Sequence, residues 1–198
     1  MHLPIPSASH DLGFGHDNYP TAPQIPMDLF ISKKHPDLAH GELGFADSSG
    51  NLVFRTKYIS SKRCSSSKWV ILDKSRNPII SIYRQKNGYW HGFKGDSEGE
   101  NQMTFKVQRT LNKIFRTELE VFLVKENSGE SASDFKIKGC AFQRSCIIYG
   151  GDAIVAQTSL MHKLHQIFVR RSSFRLTIFP GCMDHGLIVA LLVIFLYG

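Results

Sequence analysis

No apolar run in this sequence is long enough to cross a bilayer. A spanning helix needs roughly 20 apolar residues, and the longest run, Leu187–Tyr197, has 11. As a helix it would rise only about 17 Å, at roughly 1.5 Å per residue. There is also no basic segment backed by a long apolar stretch at the N-terminus, so no secretory signal is expected, and no Asn-x-Ser/Thr glycosylation acceptor. Cysteine is scarce: Cys64, Cys140, Cys146 and Cys182 form no CxxC pair. Their scatter fits reduced, mostly buried thiols and excludes a disulfide scaffold or a zinc ribbon. Acidic residues are in deficit, 17 against 24 basic ones, for a formal charge of +7. That excess favours an anionic partner, and it is smaller than dedicated nucleic-acid binders carry. Helical periodicity is missing from most of the chain, "LMHKLHQIF" (160–168) excepted. The expectation is one intracellular domain, a monomer, with no specific sign of nucleic-acid binding.

What is present is a succession of short apolar segments separated by polar turns. Residues 1–24 are rich in Pro, His, Gly and Ser without periodicity and predict a flexible leader. From Ile25 onward about twelve strands are predicted: 25–32, 43–46, 51–57, 69–73, 78–84, 89–94, 103–109, 117–124, 134–140, 145–150, 153–158 and 174–180. "ADSSGNLVFRTK" (46–57), "LDKSRNPIISIY" (72–83) and "YGGDAIVAQT" (149–158) each set a polar turn directly before an apolar strand, as successive hairpins do. In "DFKIKGC", Phe135 and Ile137 alternate with Lys136 and Lys138; in "FRLTIFP", Phe174, Leu176 and Ile178 alternate with Arg175 and Thr177. A half-buried antiparallel sheet has this pattern.

The terminal "GLIVALLVIFLYG" then acquires a place. A helix apolar on every side lies in a membrane or is fully buried, and this one is too short to span. A barrel of more than about eight strands has a hollow to fill, and a helix is about 10–12 Å across. The tail, residues 184–198, therefore fits as the axle of a barrel formed by 25–198. A central strand remains open, since Ile188, Val189, Val193 and Ile194 are β-branched.

Chemistry-bearing candidates are few. His162 and His165 share a helical face but have no third ligand in view, so a solvated segment is expected and no metal site. Glu118 and Glu120 sit on one side of a strand whose other side is Leu119 and Val121, which reads as a solvent-facing pair. Ser145 beside Cys146 lacks a nucleophile elbow, and Cys146 reads as a core thiol. "GFKGDSEGE" lacks the Lys-Ser/Thr of a phosphate loop. No catalytic residue and no cofactor are expected. Basic clusters stand out instead: Lys62, Arg63 and Lys68 around a Ser-rich loop, Arg170, Arg171 and Arg175, and Lys106, Arg109, Lys113 and Arg116 in "FKVQRTLNKIFR". Each cation near an anionic bilayer adds about 1 kcal/mol, and the last cluster is the preferred lipid-binding candidate because it lies across one strand and its following turn. Phosphorylation of Ser61 or Ser65–Ser67 would cancel the charge beside them.

The ordered set "PMDLFISKK", "ADSSGNLVFRTK", "ILDKSRNPII", "WHGFKGDS", "TELEVFLV", "DFKIKGCAFQRSCIIYGGDAIVAQ" and "FRLTIFPGCMDHGLIVALLVI" resembles the plant LURP-one-related family over nearly the whole chain after Pro20. The resemblance implies a tubby-like fold, a closed antiparallel barrel of about twelve strands around a buried C-terminal helix. It implies kinship with phospholipid scramblases and with tubby-like, phosphoinositide-binding, membrane-tethered transcription regulators, and a link to plant defence. The function it implies is a non-enzymatic regulator in the cytoplasm, peripheral at the plasma membrane, or nuclear, whose partner is an anionic phospholipid surface or regulatory proteins. The alternative is an interaction or transcription-associated module without lipid affinity. Family members continue past the apolar run into a polar end, whereas this sequence stops at "IFLYG".

Overall fold

The computed structural model describes residues 25–60, 67–85, 88–96, 102–124, 132–160, 173–181 and 184–198. The strands are β1 (Met27–Ser32), β2 (Leu43–Ala46), β3 (Leu52–Ile59), β4 (Lys68–Asp73), β5 (Pro78–Arg84) and β6 (Tyr89–Lys94). They continue as β7 (Met103–Lys113), β8 (Arg116–Leu123), β9 (Phe135–Cys140), β10 (Ser145–Gly150), β11 (Ala153–Leu160) and β12 (Ser173–Ile178), followed by helix α1 (His185–Tyr197). Each strand pairs antiparallel with its neighbours in sequence, and β1 pairs with β12 to close the barrel. Closure leaves no edge strand to pair with another chain.

Alternation decides the faces as the sequence predicts. Ile137 is buried while Lys136 and Lys138 are exposed, and Phe174, Leu176 and Ile178 are buried beside exposed Arg175. The inward rows, including Leu29, Ile31, Phe105, Val107, Leu119, Val121 and Ile148, form one core with α1. Gly186 through Phe195 are buried on every side of the helix, so the apolar tail is a helix inside the barrel and not a central strand. Asp184 caps it, its carboxylate accepting from the Leu187 amide at 2.9 Å; at the other end the Gly198 amide donates to the Ile194 carbonyl at 2.8 Å.

Strand β7 runs four residues beyond the predicted end at Arg109, because its ladder with β8 continues through a register shift between Arg109 and Leu111. The leader 1–24 and the candidate helical residues 161–168 lie outside the described residues.

The helix defines two rims. Its C-terminus emerges where β1, β3, β5, β7 and β9 end, with Tyr197 stacked on Trp69 at the start of β4. We call this the upper rim. Its N-terminus lies near Ile79 and Lys94, at the lower rim. Lower turns are built on aspartates. Asp47 accepts from the Ser49 and Asn51 amides at 2.9 Å each, and Asp73 from the Asn77 amide at 2.8 Å. These bonds hold both carboxyls below the usual carboxylate range.

Candidate functional site

The upper rim gathers aromatic rings and cations. Hairpin β5–β6 pairs Arg84 with Trp90, and β6–β7 pairs Trp90 with Val107, two residues before Arg109. Arg109 therefore follows Phe105 and Val107 onto the inner face. Its guanidinium carbon is 4.9 Å from the Trp90 ring centre, and that of Arg84 is 6.0 Å away. Burial, and then the charge of Arg84, lower the Arg109 pKa. Lys33 lies 5.3 Å over Tyr197, and Arg144 lies 5.6 Å over Phe174. Among the described residues none of these four cations has a carboxylate partner. Cation–π contact and the negative end of the helix dipole favour them there.

Beyond this ring the turns project apolar side chains. Ile114 and Phe115, at the tip of β7–β8, are 79% and 71% exposed, and Phe142, in the β9–β10 turn, is 61% exposed. Tyr58, Ile59 and Tyr89 are exposed at the same rim. Lys113 and Arg116 bracket the Ile114–Phe115 tip, and Arg144 shares its turn with Phe142. A notch of about 300 Å³ lined by Ala141, Phe142, Arg144, Leu196 and Tyr197 lies between that turn and the helix end. The lower turns differ in sign, carrying Asp47, Asp73 and Asp152 as well as Lys74 and Arg76.

The four residues of the sequence-predicted cluster separate into three places. Lys106 faces outward on the barrel wall, opposite His91 and Phe122; burial and Lys106 both lower the His91 pKa. Arg109 faces inward over Trp90. Lys113 and Arg116 pair at the hairpin tip, and Arg116 bonds to Glu118 at 2.6 Å. Only Lys113 and Arg116 thus belong to the exposed rim surface, with Arg109 behind it. The rim was legible in part: alternation in "FKVQR" puts Arg109 on the Phe105 side, and "KIFR" places two large apolar residues in a turn. The role of Arg84, Arg144 and Lys33 depends on barrel closure, which no local pattern carries.

The remaining candidates take ordinary positions. Glu118 pairs with Arg116, and Glu120 with Lys136 at 3.6 Å. Lys68 bonds to Asp96 at 2.7 Å and to the Tyr83 hydroxyl at 3.1 Å, and Arg175 to Asp28 at 3.3 Å. Cys146 is buried, and desolvation pushes its thiol up to about 12. Lys62, Arg63, Ser61, Ser65, Ser66, Cys64, His162, His165, Arg170, Arg171 and Cys182 lie outside the described residues. Among the described residues no group of His, Cys, Asp or Glu is arranged to hold a metal ion, and no helix is long and apolar enough to cross a membrane. A pocket of about 610 Å³ at the lower rim is walled by apolar side chains such as Phe54, Ile80, Phe105 and Leu187, together with Lys94, Asp184 and His185.

The family model described as LURP-one-related matches residues 27–196. Protein LURP-one-related 7 of Arabidopsis thaliana is 51% identical over 175 residues, which are 88% of this chain and 91% of that protein. Protein LURP-one-related 15 of the same plant is 33% identical over 179 residues, 85% of this chain and 78% of that protein. An X-ray structure of an Arabidopsis thaliana protein superposes with a TM-score of 0.62 at 29% identity, covering 87% of this chain and 90% of that one.

Proposed function

Because this chain belongs to the LURP-one-related family, we propose that it is a non-enzymatic regulator that docks the upper rim of its barrel on anionic phospholipid membranes. The single observation that carries the reading is the Lys113-Ile114-Phe115-Arg116 tip: two exposed apolar side chains bracketed by cations. Fully burying a Phe or Ile side chain contributes about 1.5–3 kcal/mol, and each nearby cation about 1 kcal/mol. Phe142 with Arg144 supplies a second such tip. Loss of motional freedom on binding offsets part of this, leaving the scale of weak, reversible docking. The cations gathered at the upper rim also orient that end towards a negative surface. A phosphoinositide is the class of anionic lipid that kinship with tubby-like proteins suggests, and membership of the LURP-one-related family suggests a role in plant defence. Lipid transfer across the bilayer is no part of the proposal, because the all-apolar helix is buried in the core.

Co-sedimentation with vesicles of phosphatidylcholine, alone or with phosphatidylserine or a phosphoinositide, tests the reading across a salt series. Binding that needs anionic lipid and weakens with salt supports it. Equal pelleting with all vesicles, or none, sinks it and leaves the exposed tips to a protein partner.

A further inference from the structure

A second concentration of unpaired positive charge lies on the flank, away from the upper rim. Arg55 points outward from β3, between Gly44 and Leu72 in register. The β1–β2 connection folds down over it. His35 Nε2 lies 2.9 Å from the Gly50 carbonyl in a lower turn. Leu38 packs over Gly44, where an added Cβ would come 3.0 Å from its methyl and 2.7 Å from that of Leu52. Arg55 is thereby 8% exposed. A buried guanidinium ordinarily has a carboxylate beside it, but among the described residues Arg55 has none. Its Nη1 donates to the Asp37 carbonyl at 2.5 Å, and its Nε is shut off from solvent without a partner.

Arg76, from the β4–β5 turn, donates Nη2 to the same carbonyl oxygen at 3.3 Å. Two guanidiniums thus converge on one neutral oxygen. Among the described residues no carboxylate pairs with either arginine. The Asp37 carboxylate is largely exposed while its amide donates to His35 Nδ1 at 3.2 Å, and Glu42 accepts from the Ala39 amide at 3.0 Å. Between the arginines opens a cleft of about 500 Å³ lined by Pro36, Asp37, Leu38, Ala39, Arg55 and Arg76.

We propose that this cleft binds a phosphate-class anion between Arg55 and Arg76. A carboxylate fills one guanidinium fork, whereas a phosphate monoester offers three oxygens and a charge near −2 to two converging forks. Pinning the β1–β2 connection explains one donor from each arginine; it does not explain why two cations meet on one neutral oxygen. The cleft is open enough to admit the organic part of an ester, so a lipid headgroup and a soluble phosphate present the same chemistry to it. The site does not depend on membrane docking by the upper rim.

The test uses the full chain with inorganic phosphate against chloride at matched ionic strength, read by calorimetric titration and by melting temperature. The wild type is expected to bind saturably. Arg76→Gln keeps a donor for the Asp37 carbonyl but removes the charge; it should melt normally without phosphate and bind at least tenfold more weakly. Arg76→Lys, which restores charge without the fork, should recover part of the affinity. Phe115→Asp should leave phosphate binding unchanged, which separates this site from the rim. Absence of saturable binding in the wild type, or equal affinity in Arg76→Gln, overturns the proposal. Two further arms identify the source. Weaker binding of Arg76→Gln to vesicles carrying phosphatidylinositol 4-phosphate assigns the phosphate to a lipid, and weaker binding to soluble inositol trisphosphate alone assigns it to a soluble ligand.

Discussion

Charge at single residues is set here by which side of the wall a side chain takes. Lys106 and Arg109 are three apart in sequence, yet one faces solvent and the other stacks inside the rim on Trp90. The odd spacing in a period-two strand separates them, so a run of cations along a strand is not automatically a patch. Cys146 shows the same control in a titrating group. It lies against Thr158, whose hydroxyl is 3.7 Å from its sulfur, and desolvation raises its pKa to about 12 from the ordinary thiol value near 9. Because the folded value lies above the unfolded one, the neutral thiol's share of stability is fully present below about pH 9 and is lost as pH rises towards 12. Native protein at pH 8 should therefore leave Cys146 unmodified by iodoacetamide, as read by peptide mass spectrometry, with full labelling in denaturant. Labelling of Cys146 in the folded state would contradict its placement.

At the scale of elements, the helix and the hairpins answer to different tests. Val193 is fully buried in the middle of α1. Val193→Asp buries a carboxylate with no partner, at a cost beyond the stability of an ordinary domain. It should yield unfolded or insoluble protein by circular dichroism; a folded variant that merely leaves membranes would contradict the axle. Gly139 lies in β9 where a Cβ would come within 2.1 Å of the Ser145 carbonyl oxygen across the β9–β10 pair. Gly139→Ala must push two strands apart and should cost about 3 kcal/mol or more, read as a lowered urea midpoint. The strands and the buried tail were readable because alternation and run length are local: Ile137 between Lys136 and Lys138 fixes a face, and eleven apolar residues mark a buried segment, helix or central strand, which closure of the barrel around it resolves as a helix. The Arg55–Arg76 cleft was not, since Arg55 looks like an outward cation in "FRTK" until a connection 18 residues earlier folds over it. The rim was legible only in fragments, because closure brings Lys33, Arg84 and Arg144 together from three separate hairpins.

Across the whole molecule, closure and polarity together give the barrel a direction. The axle satisfies the apolar interior, so the wall needs no further partner, and the turns are free to differ between the two ends. Aspartates fold the β2–β3 and β4–β5 lower turns back on themselves, while the β7–β8 and β9–β10 upper turns extend apolar tips beside cations. Under the proposed docking, one end of the barrel and not a side would meet a negatively charged plane. The exposed tips can be changed without touching the core, since Ile114 and Phe115 lie outside the hydrophobic cluster. The decisive measurement is vesicle co-sedimentation of wild type and Phe115→Asp, with phosphatidylserine-containing vesicles at low salt. The account predicts at least tenfold weaker binding for Phe115→Asp at an unchanged melting temperature. Wild-type binding retained by that folded variant, or dependent instead on Lys106 on the wall, would contradict docking by the upper rim.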